Sequence, residues 1–289
     1  MLRSVTPRRA ARLLAIVCVL CAGVCAWIGA NYIPRLSDHR GYFLVDVPDA
    51  VEAEPPARPR TTTLVVVDGL RRDAARSMDV VARLAARGQC RDADVGPYTV
   101  SRPIYALLST GLEVDRSGAR NNDETSPLRA ESVWEVAVQA GLSAGVASHL
   151  PWWHQLFPRA LQPWVDVDKD DDVFEASAAL DTDLTVIHPV YVDTAGHDAG
   201  GDSPEYRAAV ARADAEASAW LDARDLARDL VIFTADHGHV DAGGHGARQP
   251  DVATVLVCFA GPGIAHRVDA PKLDSRVIAP AIAVSLGLR

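Results

Sequence analysis

From Thr61 onward, short apolar runs alternate with stretches whose apolar residues recur at helical spacing. Thr61–Val67 is rich in β-branched residues and lacks polar alternation, the pattern of a strand buried on both faces. Asp73–Arg87 has helical spacing, and so does Glu131–Ala140, which is followed by a strand around Leu142–Ala147. Leu184–Val192 reads as a strand, Ser203–Ala223 as a long helix, Leu230–Phe233 and Ala253–Phe259 as strands, and Val277–Leu286 as a closing helix. Strands alternating with helices predict an α/β fold, a three-layer αβα sandwich around a mostly parallel sheet, over residues 61–289.

The pattern changes ahead of this domain. Residues 31–60 lack periodicity and are rich in Pro and charge, which predicts a linker. Residues 13–30 (LLAIVCVLCAGVCAWIGA) are uncharged and apolar, and residues 1–12 carry Arg3, Arg8, Arg9 and Arg12. About 18 residues at 1.5 Å rise give roughly 27 Å, enough for a transmembrane helix. The arginines then stay cytoplasmic, and the remainder lies outside the cell membrane on a single-pass anchor. A cleaved signal peptide, leaving a secreted protein, is the alternative. Cys18, Cys21 and Cys25 fall in the apolar run. Cys90 and Cys258 belong to the exported part, either paired or as two buried thiols. The net charge of −9, without a basic patch interleaved with aromatics, argues against binding a nucleic-acid polymer.

Ligands of open parallel sheets collect at the carboxyl ends of strands, and acidic or histidine residues stand at three such ends. The first strand runs into Asp68-Gly69-Leu70-Arg71. Asp193-Thr-Ala-Gly196-His197 follows the strand ending at Val192, and Asp236-His237 follows Phe233, with His245 beyond a glycine-rich loop. Taken singly, Asp68 reads as a helix cap and the others as polar turns; three together at strand ends point to cation ligands. Ser101 stands at the start of a short apolar helix with Pro103 in its first turn. It is either a plain N-cap or a nucleophile placed where backbone N–H groups meet an anion.

These pieces carry a resemblance. Val65-Val-Val-Asp68-Gly-Leu, Ser101-Arg-Pro followed by Gly111, Gly118-Ala-Arg-Asn-Asn122, Asp193-Thr-Ala-Gly-His197, Asp236-His-Gly-His-Val-Asp-Ala-Gly-Gly-His245-Gly and Phe259-Ala-Gly-Pro-Gly-Ile264 resemble the alkaline phosphatase superfamily. The similarity is to its phosphodiesterase/nucleotide pyrophosphatase and GPI ethanolamine-phosphate transferase-like branch, over roughly residues 61–289. The resemblance implies an alkaline phosphatase-like fold and two divalent metal ions, zinc first and manganese second. Asp68, Ser101, Asp236 and His237 would hold the ion that activates the Ser101 nucleophile. Asp193, His197 and His245 would hold the other. Asn122, with Asn121 as second choice, and Arg102 through its backbone N–H would contact a phosphoryl oxygen. His239 and Asp241 match no ligand and are left out. The implied activity is phosphoryl transfer from a phosphate ester through a phosphoserine, passed to water or to an acceptor alcohol as in a phosphoethanolamine-type transferase.

A sulfatase resembles this pattern too, but requires Arg four residues after the converted Cys or Ser, where this chain has Tyr105. A cofactor-independent phosphoglycerate mutase requires an inserted domain that the roughly 70 residues between Asn122 and Asp193 do not supply. A non-catalytic relative would be expected to have lost at least one of the seven ligands. Trp152 and Trp153 belong to an aromatic cluster that either packs in the core or stacks a substrate. Arg71 and Arg72 face solvent or a second phosphate, and Asp166–Asp172 reads as a solvated acidic loop. Substrate and oligomeric state are left open.

Overall fold

The computed structural model describes residues 7–37, 58–167, 170–246, 248–268 and 270–288. It comprises two compact units, Met1–His39 and Arg40–Arg289. The first contains one helix, Pro7–Ser37, whose apolar side chains, among them Leu14, Val19, Leu20 and Trp27, are exposed. Among the described residues no helix is long and apolar enough to cross a membrane. The apolar stretch with described side chains, residues 14–30, measures roughly 26 Å, short of the ~30 Å hydrocarbon core. The linker expected over 31–60 lies largely outside the described residues, as does part of the acidic run 166–172.

The second unit is built on an eight-stranded sheet. Its strands are β1 (Thr61–Val66), β2 (Gly88–Asp94), β3 (Ala144–Ser148), β4 (Trp164–Asp166), β5 (Leu184–His188), β6 (Asp229–Thr234), β7 (Thr254–Ala260) and β8 (Leu273–Asp274), in the order β4-β3-β5-β1-β6-β7-β2-β8. Every pairing is parallel except those of β7, which runs antiparallel to both β6 and β2. The sheet is therefore mixed but mostly parallel. Strands β3, β5, β6 and β7 are buried along their whole length, the burial that their continuous apolar sequences require. One group of helices, 79–87, 173–176 and 204–222, packs together; a second, 101–110, 133–139, 152–156 and 278–285, forms another layer.

Three elements depart from the periodicity, each for a cause that the apolar pattern does not carry. The helix expected over Asp73–Arg87 is two, Arg72–Ala75 and Asp79–Arg87. Its second part begins after extended Met78, and the Asp214 carboxylate accepts the Asp79 and Val80 N–H groups at 2.8 and 2.9 Å, supplying a cap from outside the segment. The strand expected over Leu184–Val192 stops at His188, before Pro189, which cannot donate to the ladder. A helix, Tyr191–Ala199, follows despite its β-branched start, and Asp170 Oδ2 accepts the Val190 N–H at 2.8 Å. Strand β2 was not legible in its polar sequence, Gly-Gln-Cys-Arg-Asp-Ala-Asp. It pairs with β7 so that Cys90 faces Cys258, and the two form a disulfide.

Candidate active site

The acids lie above the carboxyl ends of β5, β1 and β6, which are neighbours at the middle of the sheet. Asp68 follows β1, with its N–H donating to Pro189 O at 3.1 Å. It is not a helix cap: the next helix has Arg71 at that position, and the Asp68 carboxylate turns inward. Gly69, at φ +70°, lets the Asp68 turn approach Asp193, since a Cβ there would lie 2.7 Å from the Asp193 Cα. Asp193 and His197 are not in a loop after a strand, as the sequence pattern had it. They sit one turn apart on helix Tyr191–Ala199, which places both on one face.

The first half of the site is sealed. Asp68, Ser101, Asp236 and His237 are all at most 3% exposed. Ser101 is the first residue of helix Ser101–Thr110, behind an N-cap, Val100, that makes no side-chain cap bond. The serine hydroxyl is therefore free of capping duty, and its Oγ lies 3.4 Å from His237 Nε2. His237 Nδ1 donates to Gly238 O at 3.2 Å, which leaves Nε2 with its lone pair. That lone pair is 3.2 Å from Asp236 Oδ2 and 3.5 Å from Asp68 Oδ1. Neither of these buried carboxylate oxygens has a hydrogen-bond partner. The other Asp236 oxygen, Oδ1, accepts N–H bonds from Gly69 and His237 at 3.1 and 2.9 Å.

Two carboxylate oxygens and an imidazole lone pair thus converge with no hydrogen between them, an arrangement that fits a cation. The electrostatics agree. Burial, then the Asp193 charge, pushes the Asp236 carboxyl up to about 7. Burial, then the Asp236 and Asp193 charges, raises Asp68. Burial also lowers His237, keeping it neutral.

The second half is more open. The His197 side chain is 49% exposed and that of Asp193 14%. His197 Nε2 lies 2.9 Å from His245 Nε2 and 3.6 Å from Asp193 Oδ2. His245 Nδ1 donates to Thr99 O at 2.7 Å, aiming Nε2 at Asp193 Oδ1, 3.7 Å away. Burial, then His237, lowers His245 to about 4. Ligand atoms of Asp68, Asp236 and His237 lie within 4.8 Å of one another, as do those of Asp193, His237 and His245, and of Asp193, His197 and His239.

His239, set aside on sequence grounds, belongs to this half. It is fully buried, and its Nε2 lies 2.9 Å from Asp193 Oδ1. The Gly244 N–H donates to Nδ1 at 3.1 Å, so the ring proton sits on Nε2 and is donated to Asp193. His239 therefore acts on the carboxylate as a donor; burial raises Asp193, but this bond together with the charges of His237, His239 and His245 brings it below the usual carboxylate range. The trace in the sequence is Gly196: a Cβ there would lie 2.5 Å from the His239 ring.

Near Ser101, the Arg102 N–H donates to Asn122 Oδ1 at 3.0 Å, joining the two residues expected to meet a phosphoryl oxygen. The Arg102 guanidinium lies 4.8 Å above the Trp152 ring and donates to Gln155 Oε1 and Glu124 O. Trp153 is core, stacked on Tyr105 at 4.6 Å. Arg71 is buried against Asp73, Asp241 and the His239 carbonyl, and Arg72, its side chain 37% exposed, pairs with Asp92, so neither is held ready for a second phosphate.

Residues 104–256, more than half the chain, match the sequence family described as type I phosphodiesterase / nucleotide pyrophosphatase. The match takes in Asn122, Asp193, His197, Asp236, His237 and His245; Asp68 and Ser101 precede it. No curated protein matches the chain by sequence. Solved structures do match in fold. Murine ectonucleotide pyrophosphatase/phosphodiesterase 5, an inactive variant in complex with AMP, superposes with a TM-score of 0.67 at 15% identity, covering 80% of this chain and 96% of that one. A 2-O GAG sulfatase gives 0.62 at 14%, covering 81% and 71%. Phosphonoacetate hydrolase from Sinorhizobium meliloti 1021 gives 0.51 at 19%, covering 67% and 60%.

Proposed function

The chain belongs to the type I phosphodiesterase/nucleotide pyrophosphatase family and is a phosphoric ester hydrolase, and on that premise we propose that it works through Ser101 as nucleophile with two divalent ions as cofactors. The observation that carries this reading is the convergence of the partnerless Asp68 Oδ1 and Asp236 Oδ2 with His237 Nε2 beside the Ser101 hydroxyl. Asp68, Ser101, Asp236 and His237 would hold one ion, and Asp193, His197 and His245 the other. Their mixed oxygen and nitrogen donors suit zinc first, then manganese. When bound, such a pair neutralises charge on the entering and leaving oxygens of an in-line phosphoryl displacement.

The chain's own groups do the rest. Ser101 attacks phosphorus, the ester oxygen leaves, and a phosphoserine forms at the head of its helix. The Arg102 N–H holds Asn122 Oδ1, which leaves the Asn122 amide N–H groups to orient a non-bridging oxygen there. Water, entering from the exposed His197 side, then attacks phosphorus and breaks its bond to Ser101, releasing a phosphomonoester from a diester substrate or inorganic phosphate from a monoester. A phosphodiester is the first substrate to try, because the matched family is described as a phosphodiesterase and the AMP held by the murine protein is the kind of monoester such cleavage leaves; transfer to an acceptor alcohol is the alternative. The Cys90–Cys258 disulfide supports an oxidising, extracytoplasmic setting.

Full-length protein in detergent micelles, assayed on bis(p-nitrophenyl) phosphate, p-nitrophenyl phosphate and p-nitrocatechol sulfate, tests the reading. Turnover of a phosphate ester, lost on chelation and restored by Zn2+, is the expected result. Turnover of the sulfate alone would overturn it in favour of a sulfatase.

A further inference from the structure

Three buried polar side chains beneath Ser101 take no part in the scheme above: Tyr105, His188 and Ser148. Tyr105 lies one turn along the same helix as Ser101, and its hydroxyl is 2.5 Å from Asp68 Oδ2 and 2.7 Å from His188 Nε2. His188 Nε2 is also 3.1 Å from Asp68 Oδ2. His188 ends β5, Ser148 ends β3, the two are partners in register, and Ser148 Oγ lies 2.9 Å from His188 Nδ1. Ser148 Oγ in turn accepts the Leu150 N–H at 3.2 Å.

With Asp68 ionised, as a cation ligand must be, and His188 neutral, the protons in this chain have one consistent arrangement. Tyr105 has a single hydroxyl hydrogen. Were it given to His188, the tyrosine oxygen would face an ionised Asp68 oxygen at 2.5 Å with nothing between them. The hydrogen therefore goes to Asp68, and the short Tyr105–His188 contact requires the proton of the imidazole to be on Nε2. A neutral ring then has its lone pair on Nδ1, which accepts the Ser148 hydroxyl.

We propose that Tyr105 and His188, with Ser148 fixing the imidazole tautomer, are positioning residues that pin Asp68 Oδ2 so that Oδ1 is presented to the cation beside Ser101. With a neutral imidazole, these donors steady a buried carboxylate without cancelling its charge; an arginine at position 105 would cancel it. The same division of labour is visible at Asp236, where backbone N–H groups occupy Oδ1 and leave Oδ2 open. Because Tyr105 and Ser101 share a helix, the bond to Asp68 also fixes the nucleophile against its carboxylate neighbour. Donors of this kind typically change metal affinity about 10- to 100-fold when removed.

This inference rests on the two-cation reading, and the experiment separates the two. Metal-stripped full-length protein in detergent micelles is titrated with Zn2+ against a chromogenic chelator, in a His197→Ala background that leaves the nucleophile-side site to be read alone. Tyr105→Phe keeps the stacked ring and removes only the hydroxyl; its affinity should fall about 10- to 100-fold, with excess Zn2+ recovering kcat. His188→Leu should fall likewise, and His188→Gln, whose amide N–H reaches toward the place of the Nε2 proton, should regain most of the loss. Unchanged affinity in Tyr105→Phe, or a His188→Gln as weak as His188→Leu, would overturn the inference and leave the two-cation reading standing. Protein with the native Tyr105 and His188 that takes up no Zn2+ would end both. Melting of the metal-free variants distinguishes a packing defect, which would lower the melting temperature while leaving affinity alone and so count against the inference.

Discussion

The two halves of the site use the same side-chain types and differ in what surrounds them. Asp68, Asp236 and His237 are sealed from solvent, and one oxygen of each carboxylate is fixed by donors while the other is left bare. Asp193, His197 and His245 lie at the rim, with His197 half exposed and His239 as the buried anchor of Asp193. The sealed half suits formation of a nucleophile, where water would compete and where a charge-neutralising ion is felt most strongly. The open half suits the entry of water and the departure of product. Burial, more than residue type, separates the two roles.

That contrast breaks most directly at Ser101. Ser101→Ala should reduce turnover at least about a thousandfold while near-ultraviolet circular dichroism stays unchanged. Full activity in that variant would remove the nucleophile from the sealed half. Next come the two histidines. His237→Ala should lower kcat/KM by about a thousandfold or more, with no recovery from added imidazole. His197→Ala should lose about 10- to 100-fold and regain part of it in imidazole, because the vacated place opens to solvent. Equal losses with equal rescue would erase the distinction between the halves.

A stability measurement sharpens the contrast from another side. In the metal-free fold Asp236 ionises at about 7, against 3.8 as its ordinary value. Between those values the folded state holds a proton that the unfolded chain releases, so this group's contribution to stability falls as pH rises from about 4 to about 7 and stays low above. His245, lowered to about 4 from 6.5, has the opposite sign: its penalty grows as pH falls below 6.5 and is absent above. At pH 8 the His245 penalty is therefore absent and the cost of ionising buried Asp236 remains. Metal-free Asp236→Asn should be more stable than the native sequence there, by up to about 4 kcal/mol in urea unfolding, and the gain should vanish near pH 4. No gain at pH 8 would mean that the sealed half is not under charge strain.

The smallest effect on the comparison should come from the disulfide. Cys90 and Cys258 are separated by 168 residues and join β2 to β7, to one side of the strand ends that carry the acids. Cys258→Ser should cost about 2–4 kcal/mol of stability and leave the ratio of diester to monoester turnover unchanged. A changed ratio would tie the bridge to one half.

What could be read from the sequence follows the same divide between local and distant causes. Asp68, Asp236 and His237 were legible because each follows a continuous apolar strand, and strand ends are where such sheets place ligands. Ser101 was legible as the head of an apolar helix, though its freedom from capping required the extended Val100 ahead of it to be seen. The helix holding Asp193 and His197 was misread as the end of a strand. Val190 and Val192 favour extended chain locally, and neither the stop at Pro189 nor the Asp170 contact to Val190 N–H is visible in periodicity. His188, His239 and Tyr105 were passed over for a related reason. Their partners lie 120, 46 and 37 positions away in the chain, and no local pattern announces a hydrogen bond across such a distance. Strand β2 hid behind polar residues because its place in the sheet is set by β7.

The central claim, that each half holds its own ion, is tested most directly by counting Zn2+ per chain after equilibrium dialysis of metal-stripped, full-length protein. Two ions in the native sequence, one in Asp236→Asn and one in His197→Ala are expected. A single ion in the native sequence, or the loss of both ions when either half alone is altered, would contradict it.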